Sequence, residues 1–186
     1  MTRLALIATH PIQYYSPWFR YIASHCQKIE LKVFYLWDFG VTETLDQGFS
    51  KSIRWDIDLL QGYTYEFVTN CARNPGTKSF WGFDNPGLQQ VVSDYQPDAV
   101  FVMAYRYAGL LRFIRRQSKP VVFRGDSHRL LAETGWKALL KWKLIAYFFK
   151  SFSACLYVGQ ANLRYFLDHG VAEDRLFFSP HAVDNQ

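Results

Sequence analysis

Residues 99–129 read AVFVMAYRYAGLLRFIRRQSKPVVFRGDSHR. Two short apolar runs, 99–103 and 121–124, flank a basic, helix-patterned stretch at 108–117 that carries Arg112, Arg115 and Arg116. A strand buried on both faces reads as a near-continuous apolar run, and two parallel strands need a crossover of about a dozen residues, usually helical. The stretch therefore predicts a strand–helix–strand unit of a parallel sheet.

The same alternation extends in both directions. Toward the C-terminus it predicts a helix over 135–153, a strand over 155–158, a helix over 161–169 and a strand over 175–179. Gly170 suits the left-handed position that follows a helix C-terminus. Toward the N-terminus it predicts strands over 3–9, 29–36 and 63–68, and a helix over 88–95. Another helix starts at Ser16-Pro17, where a first-turn proline loses no needed hydrogen bond. Residues 38–62 form a long connection, which in a compact domain is either functional or holds small elements of its own. Residues 74–86 form a second loop, punctuated by Gly and Pro. The fold class is α/β: one domain over 1–179, a parallel sheet with helices on both faces.

The chain has 186 residues, 49% of them hydrophobic, so it can bury a core and disorder is excluded. Its 16 Phe and 12 Tyr fill that core, and such a surplus also suits sugar-stacking or membrane-facing surfaces. The net charge of +5 is concentrated in 112–119 and 137–150, either as a solvated basic face or as an attractor for phosphates or anionic lipid. No basic stripe with ordered aromatics reads as a nucleic-acid site. Three scattered cysteines without a CxxC pair argue against a disulfide framework or a zinc site. No apolar run approaches the ~20 residues of a membrane span, and residues 4–8 are too short for a signal peptide. The cytoplasm is the expected compartment.

In an open parallel sheet, ligands bind outside the carboxyl ends of the strands. The loops there begin at His10, Trp37, Ala104, Gly125, Gly159 and Pro180. The first, residues 9–17, lacks the dinucleotide and P-loop glycine patterns. His10 and Gln13 can hydrogen-bond sugar hydroxyls and Tyr14 can pack on a ring; the alternative is a loop with its tyrosines turned inward. Tyr105 opens the next such loop. Residues 124–129 gather Arg124, Gly125, Asp126, Ser127, His128 and Arg129. Gly125 permits a turn that a Cβ would resist, Asp126 can accept from a hydroxyl, and His128 can shuttle a proton. The plainer reading is a helix cap beside an exposed arginine. Gly159 and Gln160 open a helix whose free amides either hold an anion or simply complete a turn.

The stretch from Trp136 to Phe152 is apolar on nearly every side of a helical wheel, with Lys137/Lys141 and Lys143/Lys150 as separate patches. Such a helix needs burial on more than one face: against the sheet, and against a partner domain, another subunit or a bilayer surface.

Taken together, these segments resemble the N-terminal domain of GT-B glycosyltransferases of the retaining, family 4 type. Residues 178–185, FSPHAVDN, are similar to the segment that closes that Rossmann-like domain and opens the linker to the second one. The segments HPIQYY at 10–15 and Trp55-Asp56 through Gly62-Tyr63 are similar to a bacterial subgroup. Gly159-Gln160 departs from the Ser-Glu usual in the family, and His10-Pro11 stands where many members carry a glycine-rich loop.

The resemblance implies a two-domain enzyme. Residues 180–186 would begin the linker to a C-terminal, donor-binding domain. A nucleotide sugar would be the donor substrate and a glycan, lipid or small molecule the sugar acceptor, with no metal or other cofactor. Asp126 and His128 would be catalytic; His10, Gln13, Tyr14, Tyr105, Arg124, Gly125, Gly159 and Gln160 would bind substrate. This chain alone would be inactive. Two alternatives share the architecture: a non-catalytic glycan- or protein-binding module, and half of a nucleotide-sugar epimerase.

Overall fold

The structure, a computed structural model, describes residues 1–41, 44–46, 51–53, 58–128 and 135–182. In chain order the elements are β1 (Thr2–Ala8), α1 (Ser16–His25), β2 (Ile29–Tyr35), β3 (Thr44–Asp46), β4 (Lys51–Ile53) and β5 (Thr64–Phe67). Then follow α2 (Leu88–Tyr95), β6 (Ala99–Val102), α3 (Ala108–Arg115), β7 (Val121–Gly125), α4 (Trp136–Phe149), β8 (Ala154–Tyr157), α5 (Gln160–Asp168) and β9 (Leu176–Phe178). A single 3-10 turn, Glu173–Arg175, leads into β9. The long connection does hold its own element, the antiparallel pair β3–β4. Trp55 and Asp56 of that connection lie outside the described residues.

Seven strands form one sheet in the order β5-β2-β1-β6-β7-β8-β9, and every neighbouring pair is parallel. The chain builds outward from β1 through β2 to β5. It then returns through α2 to place β6 on the other side of β1, and continues outward to β9. This is a Rossmann-like α/β sheet, and its topological switch point lies between β1 and β6.

Alternate residues of the central strands feed two cores. Ala5, Ile7, Phe34, Val100, Val102, Phe123 and Cys155 face α2, α3, α4 and α5, meeting Val92, Leu110, Phe113, Phe149 and Phe166. Leu6, Ala8, Val33, Tyr35 and Phe101 face the other way, toward Phe19 of α1 and Tyr63. Helices therefore cover both faces, and burial on both sides explains why the central strands read as apolar runs. Gly170 takes φ +80° after α5, the left-handed position read from the sequence.

Pro17 sits in the first turn of α1, yet Ser16 does not cap it. Ser16 is buried, and the Tyr63 hydroxyl points at its Oγ from 3.5 Å. The one Tyr63 proton goes to the Leu59 carbonyl, the shorter of these two contacts, and the Tyr63 oxygen lies 2.7 Å from that of Tyr35. The serine thus serves a buried polar cluster rather than the helix end. Burial, the larger cause, pushes both phenols above their ordinary range, and for Tyr35 the neighbouring Tyr63 adds to it.

Burial likewise raises the Cys155 thiol to about 12, opposed by Arg175. Its folded value is raised, so the stability it contributes is complete below the unfolded thiol's value, near 8.5, and is lost as pH climbs toward 12. The unfolding free energy is expected to fall from about pH 9, by up to ~1.4 kcal/mol per pH unit. Cys155→Ala should flatten that first limb and leave the tyrosine-driven fall above about pH 10. Urea titrations at stepped pH would measure both slopes; identical slopes in the two proteins would refute the assignment.

Among the described residues, no helix is long and apolar enough to cross a membrane.

Candidate functional site

The candidate site residues His10, Gln13, Tyr14, Tyr105, Arg124, Gly125, Asp126, His128, Gly159 and Gln160 all lie among the described residues, at or just past the carboxyl ends of the strands, whereas Arg129 and residues 183–186 lie outside them. That carboxyl edge runs from the loop after β5, past the switch point, to the segment after β9.

At the switch point, the loop after β1 carries His10. Its ring packs edge-on against Trp37 and Phe39 from the loop after β2, at centroid distances of 5.9 and 5.6 Å. Nδ1 lies 3.1 Å from the Thr9 hydroxyl. Burial lowers the His10 pKa below its ordinary value, so the imidazole is neutral at pH 7 and offers one donor and one acceptor. Gln13 is half-buried and Tyr14 exposed on the same loop.

Farther along the edge toward β9, a cleft is lined by Tyr14, Tyr15, Trp18, Arg124, Ser179, Pro180, His181 and Ala182. Arg124 forms its floor and is only 5% exposed. Its Nε donates to the Ser179 hydroxyl at 3.4 Å, and one terminal nitrogen to the carbonyls of Ser179 and Pro180 at 3.3 and 3.2 Å. The guanidinium also lies 5.5 Å from the Trp18 ring centre and 6.0 Å from that of Tyr15. Among the described residues, carbonyls and ring faces rather than a carboxylate thus accommodate this buried cation. Burial raises the Tyr15 phenol, with Arg124 opposing and Asp126 reinforcing the shift. Tyr14 and Arg124 therefore meet in one cleft, whereas His10 lies in the aromatic nest beside it.

Asp126 and His128 are exposed beyond β7. Among the described residues, no hydrogen bond or ion pair ties up either side chain. The loop itself is fixed by Asn162, which is 2% exposed. Its Nδ2 donates to the Ser127 carbonyl at 2.7 Å, while its Oδ1 accepts from the Val158 amide at 3.0 Å. One asparagine thereby latches the loop after β7 to the turn after β8. Asn162→Ala should strand that carbonyl and amide, costing about 1–3 kcal/mol. Urea unfolding would measure the loss, and the Val158 amide should exchange faster with solvent.

The remaining positions have plain placements. The Tyr105 ring turns inward, edge-on to Phe123 at 5.2 Å and to Phe149 at 5.6 Å. Gly125 is the last residue of β7, paired with Tyr157, rather than the start of a turn. What it supplies is room: a Cβ there would come within 2.4 Å of the Phe123 ring. Gly159 precedes α5 with an extended backbone and open space where a Cβ would stand, and Gln160 is exposed.

Sequence reasoning missed Asn162 and Asn85. Asn85 is buried, and its Nδ2 donates to the carbonyls of Leu36, Val68 and Thr69 at 3.0, 2.8 and 3.1 Å, holding the exits of β2 and β5. The available signal was an asparagine inside a short helix and another directly before a proline, positions where its helix propensity is poor. Among the described residues, no group of three or more His, Cys, Asp or Glu side chains is placed to hold a metal ion.

No protein-family model and no curated protein matches the sequence. Solved structures do match the fold. UDP-N-acetylglucosamine 2-epimerase from Rickettsia bellii superposes with a TM-score of 0.62 at 15% identity, over 97% of this chain and 45% of that one. Anabaena HepE in complex with UDP and glucose gives 0.55 at 13% identity, over 99% of this chain and 45% of that one. HepE in complex with UDP gives 0.54 at 16%, again over 99% and 45%. At these identities the likeness is one of fold, and the chain spans 45% of the length of each structure.

Proposed function

We propose that the chain is the acceptor-side, N-terminal half of a two-domain GT-B glycosyltransferase, retaining and of the family 4 type. It would act in the cytoplasm, transferring a sugar from a nucleotide-sugar donor to a glycan, lipid or small acceptor. The observation that carries this reading is the loop after β7: Asp126 and His128 stand exposed at the carboxyl edge while buried Asn162 fixes the backbone beneath them. A carboxylate and an imidazole so placed can orient an acceptor hydroxyl and take its proton. Tyr14 and Trp18 give the adjoining cleft faces on which a sugar ring can pack. His10, held neutral, can donate to and accept from hydroxyls, with Gln13 beside it.

The donor's phosphates need cationic and amide groups, which in this reading come chiefly from a C-terminal half joined through residues 180–186, with the turn at Gly159-Gln160 facing the donor. The reaction would need no metal, so chelation should leave turnover unchanged. The likeness to UDP-sugar proteins, including one solved with UDP and glucose, supports a nucleotide-sugar substrate.

The test is to incubate the protein, together with its donor half, with a panel of UDP-sugars, with and without glycan or lipid acceptors. Acceptor-dependent release of UDP, with the anomeric configuration retained in the product by NMR, is the expected result. Likeness to the 2-epimerase favours one second reading, half of a nucleotide-sugar epimerase. Isomerised UDP-sugar appearing without any acceptor would establish that reading and overturn transfer. Tight glycan binding with neither reaction would leave a non-catalytic module.

A further inference from the structure

Helix α4 packs on the sheet through Phe149, its one buried residue, with Ile145 against the same core. At 100° per residue, the opposite side carries Trp136, Leu140, Lys143, Leu144 and Tyr147, and Leu139 extends this ridge along the flank beside Lys143. The five large apolar residues of that ridge are all more than half exposed, Trp136 at 72%. Residues 135–153 contain four lysines and no acidic residue. The last turn of α3 extends the same charge: the Arg115 guanidinium lies 5.9 Å from the Tyr147 ring centre, and the Lys137 ammonium 5.7 Å from that of Trp136. The outward face is thus an apolar ridge rimmed and interrupted by cations.

We infer that this face of α4 docks on an anionic lipid surface, with the helix lying in the plane of the headgroups. At 14 residues the helix is about 21 Å long, well short of the ~30 Å hydrocarbon core, so it can lie on a bilayer but cannot span one. Leu139, Leu140 and Leu144 enter the acyl boundary, Trp136 and Tyr147 take the interface, and Lys137 and Lys143 reach lipid phosphates. Charge decides between occupants. Lys143 sits in the middle of the ridge, where a protein interface would bury it, and lysine is depleted from such interfaces. Pairing α4 with a second copy would set like charges against each other. A surface of anionic headgroups satisfies the ridge and its cations together. The inference does not rest on the reaction proposed above.

Co-sedimentation with vesicles tests it directly. The chain should bind vesicles of mixed phosphatidylcholine and phosphatidylglycerol, release as salt rises, and ignore pure phosphatidylcholine. Lys143→Gln should weaken binding roughly fivefold, and Lys137→Gln again as much. Leu140→Ser combined with Leu144→Ser should abolish binding without altering the circular dichroism spectrum or Tm, since both side chains are exposed. Absence of binding, or equal and salt-insensitive binding to both vesicle types, overturns the inference. So does a dimer in light scattering that the Leu140→Ser, Leu144→Ser variant dissolves, which would make α4 a contact between copies.

Discussion

Phe123→Ala is expected to destabilise the fold by about 3–5 kcal/mol, read as a drop in the urea midpoint at unchanged slope. Phe123 is buried at the centre of β7. Its ring stacks on Phe152 at 4.9 Å and on Phe149 at 6.0 Å, and meets Phe166 and Tyr105 edge-on at 5.9 and 5.2 Å. Truncation removes one ring from a five-ring cluster that joins the sheet to α4 and α5, and the neighbours, anchored on different elements, have no common direction in which to collapse. Set against a domain stability of about 5–15 kcal/mol, the loss takes a large share of the total. Phe123→Leu keeps most of the volume and should cost far less. A cost below about 1 kcal/mol for Phe123→Ala would mean that the cluster repacks, contrary to the close packing of such cores.

The second large effect concerns chemistry. In the enzyme complete with its donor half, Asp126→Ala or His128→Ala should lower turnover by about 10²–10⁴-fold, the range a positioned acid or base contributes. Each should leave stability within about 0.5 kcal/mol, because both side chains are exposed and make no hydrogen bond or ion pair among the described residues. Steady-state kinetics beside thermal melts separate the outcomes. Turnover close to the parent's would remove both residues from the reaction, and a large stability loss would return the loop to a structural role.

The strand–helix alternation was legible because parallel strands buried on both faces leave continuous apolar runs, as at 99–103 and 121–124. Strand order was less legible: nothing local in residues 2–8 announces that this strand lies inside the sheet, between β2 and β6. The candidate site was readable as positions and unreadable as contacts. Arg124 reads as a ligand-facing cation and does line the cleft, but no local signal announces that its side chain also reaches past β8 to the carbonyls of Ser179 and Pro180, 55 and 56 residues away. Tyr105 opens a loop at the right edge, yet its ring falls back onto Phe123, since a tyrosine satisfies either environment. Gly125 drew notice as a turn former and proved to be a space-maker for a ring two residues earlier. For α4 the composition demands two apolar contacts, but only the one with the sheet is built from the described residues.

The position of β1 has a consequence for synthesis. Leu4 pairs with Ala99, and the Arg3 amide donates to Asp98, 95 residues later in the chain. At about 5–20 residues per second, translation leaves the inner edge of the first strand unpaired for roughly 5–20 s after it emerges. Throughout that time the nascent chain carries Leu6 and Ile7 on a strand with one open row of backbone donors and acceptors, the kind of edge that recruits other chains. The return through α2 thus sets a vulnerable interval in the life of the molecule, and a holding chaperone acting before β6 leaves the ribosome would raise its yield.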